Sequence, residues 1–315
     1  MYLWTMRKFA ANFFENSSRV AKIVRKWGVI VAFDHIRNRL KRWELLDVYK
    51  FSNHVVPIGS SLSDTTEYQA LCAAAIADRK VLARFKSEKN YTRILEHVNY
   101  EMGRKYLDFL VDEPAALELL LEVNRVEIGN PERYHFPGLG LVSPTQIRYA
   151  KILCEITELF GPLNNMRIIE IGVGNGGQCF QICKTYNVAG YFLYDLPVVQ
   201  ELTKLVLKTQ GLTKEPSFPP ISPLEENPSD LLISNYAFSE LTREHQEIYF
   251  EKIIRHSNRG YVLFNHIQND TSKSMSAEEF SSRIPGSIII DETPTTHPDN
   301  VLIVWGYTRP MRRRV

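Results

Sequence analysis

The sequence predicts an α/β protein: a mostly parallel open sheet whose last strand runs antiparallel, preceded by a helical N-terminal region. Three observations carry this. From Arg167 onward, short apolar runs alternate with segments of helical period, the pattern of a parallel sheet covered on both faces. The first run ends in IIEIGVGNGGQ (168–178), where closely spaced glycines mark a strand-to-helix turn that something must approach closely. The last two runs, 287–291 and 301–307, are joined only by TPTTHPDN. That leaves no room for a crossover helix, so they should pair antiparallel.

Residues 1–125 read as mostly helical, most persuasively over 66–85 and 91–124, with Pro114 breaking the second stretch. Within 17–43, Val20, Ile23, Val24, Trp27, Ile30 and Val31 recur at three- and four-residue intervals against Arg19, Lys22, Arg25 and Lys26. A helix there has one oily and one basic face. It can dock on the sheet domain or on a second subunit, making a homo-oligomer. It can also give weak, salt-sensitive membrane attachment, helped by Arg309 and Arg312–Arg314 at the other end of the chain. A glycine- and proline-rich loop at 129–143 is suited to a lid, and a helix over 144–160 leads into the glycine strand. This divides the chain into a helical region (1–128), a lid loop with lead-in helix (129–160) and a sheet domain (161–315).

In the sheet domain a strand at 167–171 precedes a helix at 177–186, and GYFLYD (190–195) is the next strand. The helix after it has Pro197 near its start and Gly211 just past its end, with Val198, Leu202 and Leu205 along one face. The proline-rich segment 214–229 has room for one short strand near Ile221. DLLISN (230–235) is a buried strand, Thr242 caps a helix running to Ser257, GYVLFN (260–265) is another strand, and a short helix follows at 277–283.

Composition is ordinary: 44% of the 315 residues are hydrophobic, 23% are charged and the net charge is +2. That excludes a binder of nucleic acid driven by overall charge. Residues 1–50 are nonetheless basic, with eleven Lys/Arg against four Asp/Glu. Cys72, Cys154, Cys179 and Cys183 have no histidine at zinc-ligand spacing and read as buried thiols of a reducing compartment. The run WGVIVAF (27–33) is far shorter than the roughly 20 residues of a membrane span, and no signal-peptide pattern is seen. The expected location is the cytoplasm, with the inner face of the membrane as the site of any peripheral attachment.

Gly172, Gly174 and Gly177 satisfy G-x-G-x-x-G by letter, so a dinucleotide site must be weighed; no Gly-Lys-Ser/Thr follows, which removes a P-loop. Glu170 argues against a dinucleotide, because a carboxylate there would repel the pyrophosphate. S-adenosylmethionine carries a sulfonium and an α-ammonium but no phosphate. Asp195, ending the second strand about 20 residues on, can accept both ribose hydroxyls of either cofactor. A nicotinamide-dependent oxidoreductase and a non-catalytic interaction protein on the same fold are the alternatives.

EIGVGNGGQ, YDLP (194–197), DLLISNYAFSEL (230–241) and RGYVLFN (259–265), with VSPTQIRYAKIL upstream, resemble the family of sugar O-methyltransferases over roughly 130–307. SNYAFSEL is the most specific block. Members usually have a bulky or aromatic residue where Asn175 stands. The resemblance implies a class I methyltransferase with a Rossmann-like sheet, using S-adenosylmethionine to methylate a sugar hydroxyl in surface glycan or polysaccharide biosynthesis. It implies that Glu170, Gly172, Gly174 and Gly176 shape the methionine end of the site, with Asp195 on the ribose. Ser234 and Asn235 would then face the sulfonium and the acceptor. The partner is a sugar or glycan, not nucleic acid.

Methyl transfer to a hydroxyl needs the oxygen held in line roughly 3 Å from the methyl, and a base to take its proton. His266 and Glu240 follow strands at the correct rim and are the candidate bases; His297, in the final hairpin loop, is a third. His245 and His256 read as solvated helix positions. Tyr134, His135 and Arg148 flank the glycine-rich approach. Arg148 binds a phosphate or carboxylate of the substrate or makes a surface ion pair. Tyr236 and Asn265, at strand ends, complete the acceptor set. Asp270 and Asp291 lie too far apart in the pattern to share a metal, so none is expected.

Overall fold

The computed structural model describes residues 65–221, 224–265 and 274–309. The amphipathic stretch 17–43, the Arg-rich terminus from 310, Asp270 and the candidate base His266 lie outside them. Helices α1 (Thr66–Ala77), α2 (Arg79–Leu82), α3 (Lys89–Thr92), α4 (Tyr100–Leu110) and α5 (Pro114–Val126) come first. Residues 133–142 belong to a separate compact unit, in which strands β1 (Tyr134–Phe136) and β2 (Gly140–Val142) form a small antiparallel hairpin. Then follow α6 (Pro144–Phe160), β3 (Arg167–Ile171), α7 (Gly177–Thr185), β4 (Gly190–Tyr194), α8 (Pro197–Thr209) and β5 (Leu231–Asn235). The chain closes with α9 (Arg243–Lys252), β6 (Gly260–Phe264), α10 (Ala277–Ser282), β7 (Ile288–Asp291) and β8 (Val301–Trp305).

The sheet has six strands in the order β4-β3-β5-β6-β8-β7. β3, β4, β5 and β6 run parallel, and β8 is antiparallel to both of its neighbours. A parallel sheet closed by one reversed strand is the class I methyltransferase plan that the sequence predicts. The short strand expected near Ile221 is reduced to a single parallel bridge, Phe192 to Ser217. Pro216, Pro219 and Pro220 around it have no N–H to extend a ladder.

Both faces of the sheet are covered. On one, Ile168, Leu193, Ile233, Leu263 and Val304 meet Ile152, Ile156 and Leu159 of α6 and Phe180 and Ile182 of α7. On the other, Ile169, Ile171, Leu232, Val262 and Ile303 meet Phe238, Tyr249, Phe250 and Phe280. The helical segment 65–132 belongs to the same compact unit as the sheet. α1 packs its Tyr68, Cys72 and Ala75 against Val199, Leu202 and Val206 of α8. This shifts the buried face of α8 by one residue from the expected Val198, Leu202 and Leu205.

The stretch 91–124 is not one helix broken at Pro114. α3 ends at Thr92, and Asn99 caps α4 by accepting the Met102 N–H at 3.0 Å. Pro114 opens α5 at its first turn, where a missing N–H costs nothing. Thr242 does precede α9, but its hydroxyl lies 2.8 Å from His245 Nδ1 rather than capping the backbone, and the helix stops at Lys252. Fully buried Lys86 pairs with Glu127 at 3.1 Å and Glu96 at 3.7 Å, and Gln146 of α6 donates to the same Glu127 oxygen at 2.8 Å. All four cysteines are free thiols. No helix among the described residues is long and apolar enough to cross a membrane.

Candidate active site

Register places the ends of three parallel strands side by side. Ile171 at the end of β3 pairs with Tyr194 of β4 and with Ser234 of β5. The chain therefore leaves the sheet at Gly172, Asp195 and Asn235 along one rim, the carboxyl rim where open α/β sheets bind ligands. A cavity of about 630 Å³ opens there. Small-molecule pockets fall roughly between 300 and 1,000 Å³. Gly172, Gly174, Asp195, Asn235, Tyr236, Glu240 and Asn265 line it from the strand ends. Tyr68, Arg93, His97, Tyr106 and Arg148 close it from the helical side.

Gly172 has φ +76°, and a Cβ on it would lie 1.9 Å from that of Ala237 in the loop after β5. The loop packs directly on the turn, and only glycine permits this. Asp195 is fastened to the same turn: its Oδ2 accepts the N–H groups of Val173 at 2.8 Å and Gly174 at 3.1 Å, and its Oδ1 accepts that of Leu196 at 2.8 Å. Asn175 is buried and donates to the Tyr91 hydroxyl at 2.9 Å.

Three residues expected at the cofactor do not line the cavity. Gly176 caps the start of α7, and a Cβ there would meet Thr203 of α8 at 2.8 Å, so its smallness serves helix packing. Ser234 is fully buried; its hydroxyl donates to Ile171 O at 3.0 Å and accepts the Phe238 N–H at 3.1 Å, pinning the loop after β5. Glu170 is 2% exposed and accepts the Tyr191 hydroxyl at 2.7 Å. Strand alternation explains it: Ile169 and Ile171 share one face of β3, and Glu170 points to the other. Burial pushes its carboxyl up to about 8; the charge on Asp195 adds to this, and the Tyr191 hydrogen bond opposes it.

The loop after β5 carries the polar groups. Asn235 Oδ1 is buried without a hydrogen-bond partner among the described residues. Tyr236 adopts φ +70°, a strained position for an aromatic residue, and its hydroxyl donates to Glu292. Asn265, just past β6, donates its backbone N–H to Ser239 Oγ at 3.1 Å and its Nδ2–H to Glu240 Oε1 at 2.7 Å. Two strand ends thereby orient the Glu240 carboxylate in the cavity wall.

The remaining expectations fare unevenly. Arg148 lines the cavity but is only 6% exposed, so it is no surface ion pair. His245 is exposed on α9 as expected, yet it also lines the cavity. His297 is exposed, lies 3.6 Å from Asp299 and does not itself line the cavity, although its neighbours Thr296 and Asn300 do. Tyr134 and His135 lie in the hairpin unit. Among the described residues no group of three His, Cys, Asp or Glu side chains is set to hold a metal. Arg93, His97 and Tyr106 escaped sequence reading because they reach the rim only through tertiary packing: Tyr106 lies on α4, which packs on α6, and Arg93 and His97 lie between α3 and α4.

No protein-family model matches the chain, and no curated protein matches it. Among solved structures it is similar to magnesium protoporphyrin IX methyltransferase from Synechocystis, with 11% identity over 50% of this chain and 77% of that one and a TM-score of 0.40. A Thermoplasma acidophilum protein is 14% identical over 64% of this chain and 98% of its own, TM-score 0.39. An rRNA methylase from Streptococcus thermophilus is 12% identical over 45% and 87%, TM-score 0.35. Strand order, rather than these remote likenesses, identifies the fold.

Proposed function

We propose that the cavity binds S-adenosylmethionine and that the protein methylates a hydroxyl of a sugar, within a surface glycan or its precursor. The observation that carries this is the meeting, on one rim, of the Gly172–Gly174 turn, the Asp195 carboxylate and the loop Asn235–Glu240. The residues fit the cofactor. Gly172 and Gly174 line the cavity, Asp195 is an acceptor beside them for ribose hydroxyls, and Asn235 Oδ1 is a buried acceptor that can receive a donor such as an ammonium. The sugar acceptor rests on the resemblance of the SNYAFSEL block.

When bound, S-adenosylmethionine supplies a methyl group already activated by its sulfonium. The chain's own residues hold the acceptor and remove its proton. Glu240, steadied by Asn265 Nδ2, takes the hydroxyl proton onto its carboxylate as the base. Tyr236 and Asn265 orient the sugar, and His266 is the rival base. Turnover with labelled S-adenosylmethionine and a panel of glycans tests the proposal. Glu240→Gln should lower turnover by about 10²-fold or more with cofactor affinity unchanged. Near-wild-type turnover of that variant, with loss in His266→Ala, moves the base to His266; no transfer to any sugar overturns the acceptor.

A further inference from the structure

Arg148 is a buried cation that makes no ion-pair contact with a carboxylate among the described residues. Its residue is 6% exposed, its Nε has no hydrogen-bond partner, and no carboxylate pairs with it among the described residues. The nearby carboxylates are engaged elsewhere. Glu96 pairs with Lys86 at 3.7 Å and accepts the Ser143 hydroxyl, while Glu292 accepts from Tyr236 and from the Thr296 N–H at 3.0 Å. The Arg148 charge acts on His97, Tyr106, Tyr149 and Tyr236, and on Glu96, which shares Lys86 with Glu127 and makes no ion-pair contact with Arg148. Taking a charge out of water without an anion in direct contact is costly, and folded proteins rarely leave such a group unpaired. Arg148 nevertheless lines the cavity, so a ligand can supply the missing charge.

We infer that Arg148 is a carboxylate-recognition point of the cavity, its planar guanidinium receiving a carboxylate of a bound ligand as a charge-assisted pair. This rests on the proposed use of S-adenosylmethionine, and two sources share the chemistry. One is the α-carboxylate of the cofactor's amino-acid end; the other is an acidic group on the acceptor, as in a uronic acid.

Arg148→Met separates the sources. Replacing an unpaired buried charge by an apolar side chain of similar length leaves the ligand-free protein as stable as wild type or more so. A purely structural arginine would instead lower the melting temperature, which overturns the inference. Calorimetry then compares S-adenosylhomocysteine with methylthioadenosine, which lacks the amino-acid end, and glucuronate with glucose in the presence of S-adenosylhomocysteine. A cofactor carboxylate at Arg148 predicts at least tenfold weaker S-adenosylhomocysteine binding in the variant, with methylthioadenosine unchanged. An acceptor carboxylate predicts unchanged nucleoside binding and at least tenfold weaker glucuronate binding, with glucose unaffected. If wild type binds S-adenosylhomocysteine and the variant binds every probe equally well, the inference fails alone. If wild type does not bind it, the proposed function fails with it.

Discussion

Glu170→Gln separates two roles for one carboxylate: partner of the cofactor, as the family resemblance implies, or a buried proton carrier under Tyr191. In the fold its carboxyl is pushed up to about 8 from an ordinary 4.5. The folded chain therefore keeps a proton that the unfolded chain has released, and stability falls as pH rises from about 4.5 to about 8, then levels off. His97 acts in the opposite sense at lower pH. Desolvation, then the Arg148 charge, pushes it down to about 4 from 6.5, so stability falls as pH drops below about 6.5. The window from about 6.5 to about 8 thus isolates Glu170 from His97. That span of roughly 1.5 pH units corresponds to about 2 kcal/mol. Glutamine keeps the size and a hydrogen bond to Tyr191 but cannot titrate. Urea unfolding across pH 6.5–8.5 should show wild type losing about 2 kcal/mol relative to the variant. S-Adenosylhomocysteine affinity should stay within a factor of about three. Parallel stability curves would show that Glu170 is already ionised at neutral pH. A collapse of affinity would show that its carboxylate reaches the cofactor after all, and would refute the reading from strand alternation.

Other substitutions probe the rim. Asp195→Ala strips the acceptor from the Val173 and Gly174 N–H groups, so it should cost about 1–3 kcal/mol of stability as well as tens-fold in cofactor affinity; Asp195→Asn should recover much of the first in urea unfolding and little of the second in calorimetry. Gly172→Ala adds the collision with Ala237 to the roughly 1–3 kcal/mol of a positive φ, so it should destabilise more than Gly211→Ala, where φ is +82° and nothing lies within 4 Å. Tyr91→Phe leaves the buried Asn175 Nδ2 without its acceptor and should cost about 1–3 kcal/mol in thermal unfolding, compared with Tyr68→Phe as a neighbouring control.

The sheet was legible because its signals are local: apolar runs, glycines at one turn, and a last connection too short for a helix. The failures arise where a distant segment decides. The buried face of α8 follows α1, which no period within α8 reveals. The break before α4 was readable in principle, since Asn99 is a good N-cap, but helical period on both sides concealed it. Of the expected cofactor set, Gly172, Gly174, Asp195 and Asn235 reach the cavity, while Glu170, Gly176 and Ser234 support it from behind. A one-dimensional motif does not say which way each side chain points. Arg93, His97 and Tyr106 arrive by tertiary packing alone, which is why the helical wall of the cavity had no signature.

The most direct measurement is calorimetry of the full-length protein with S-adenosylhomocysteine and, separately, with NADH. Saturable one-site binding of S-adenosylhomocysteine, weakened tens-fold in Asp195→Asn, with no heat from NADH, is the expected result. Binding of NADH, or of neither ligand, would contradict the assignment of this cavity to S-adenosylmethionine.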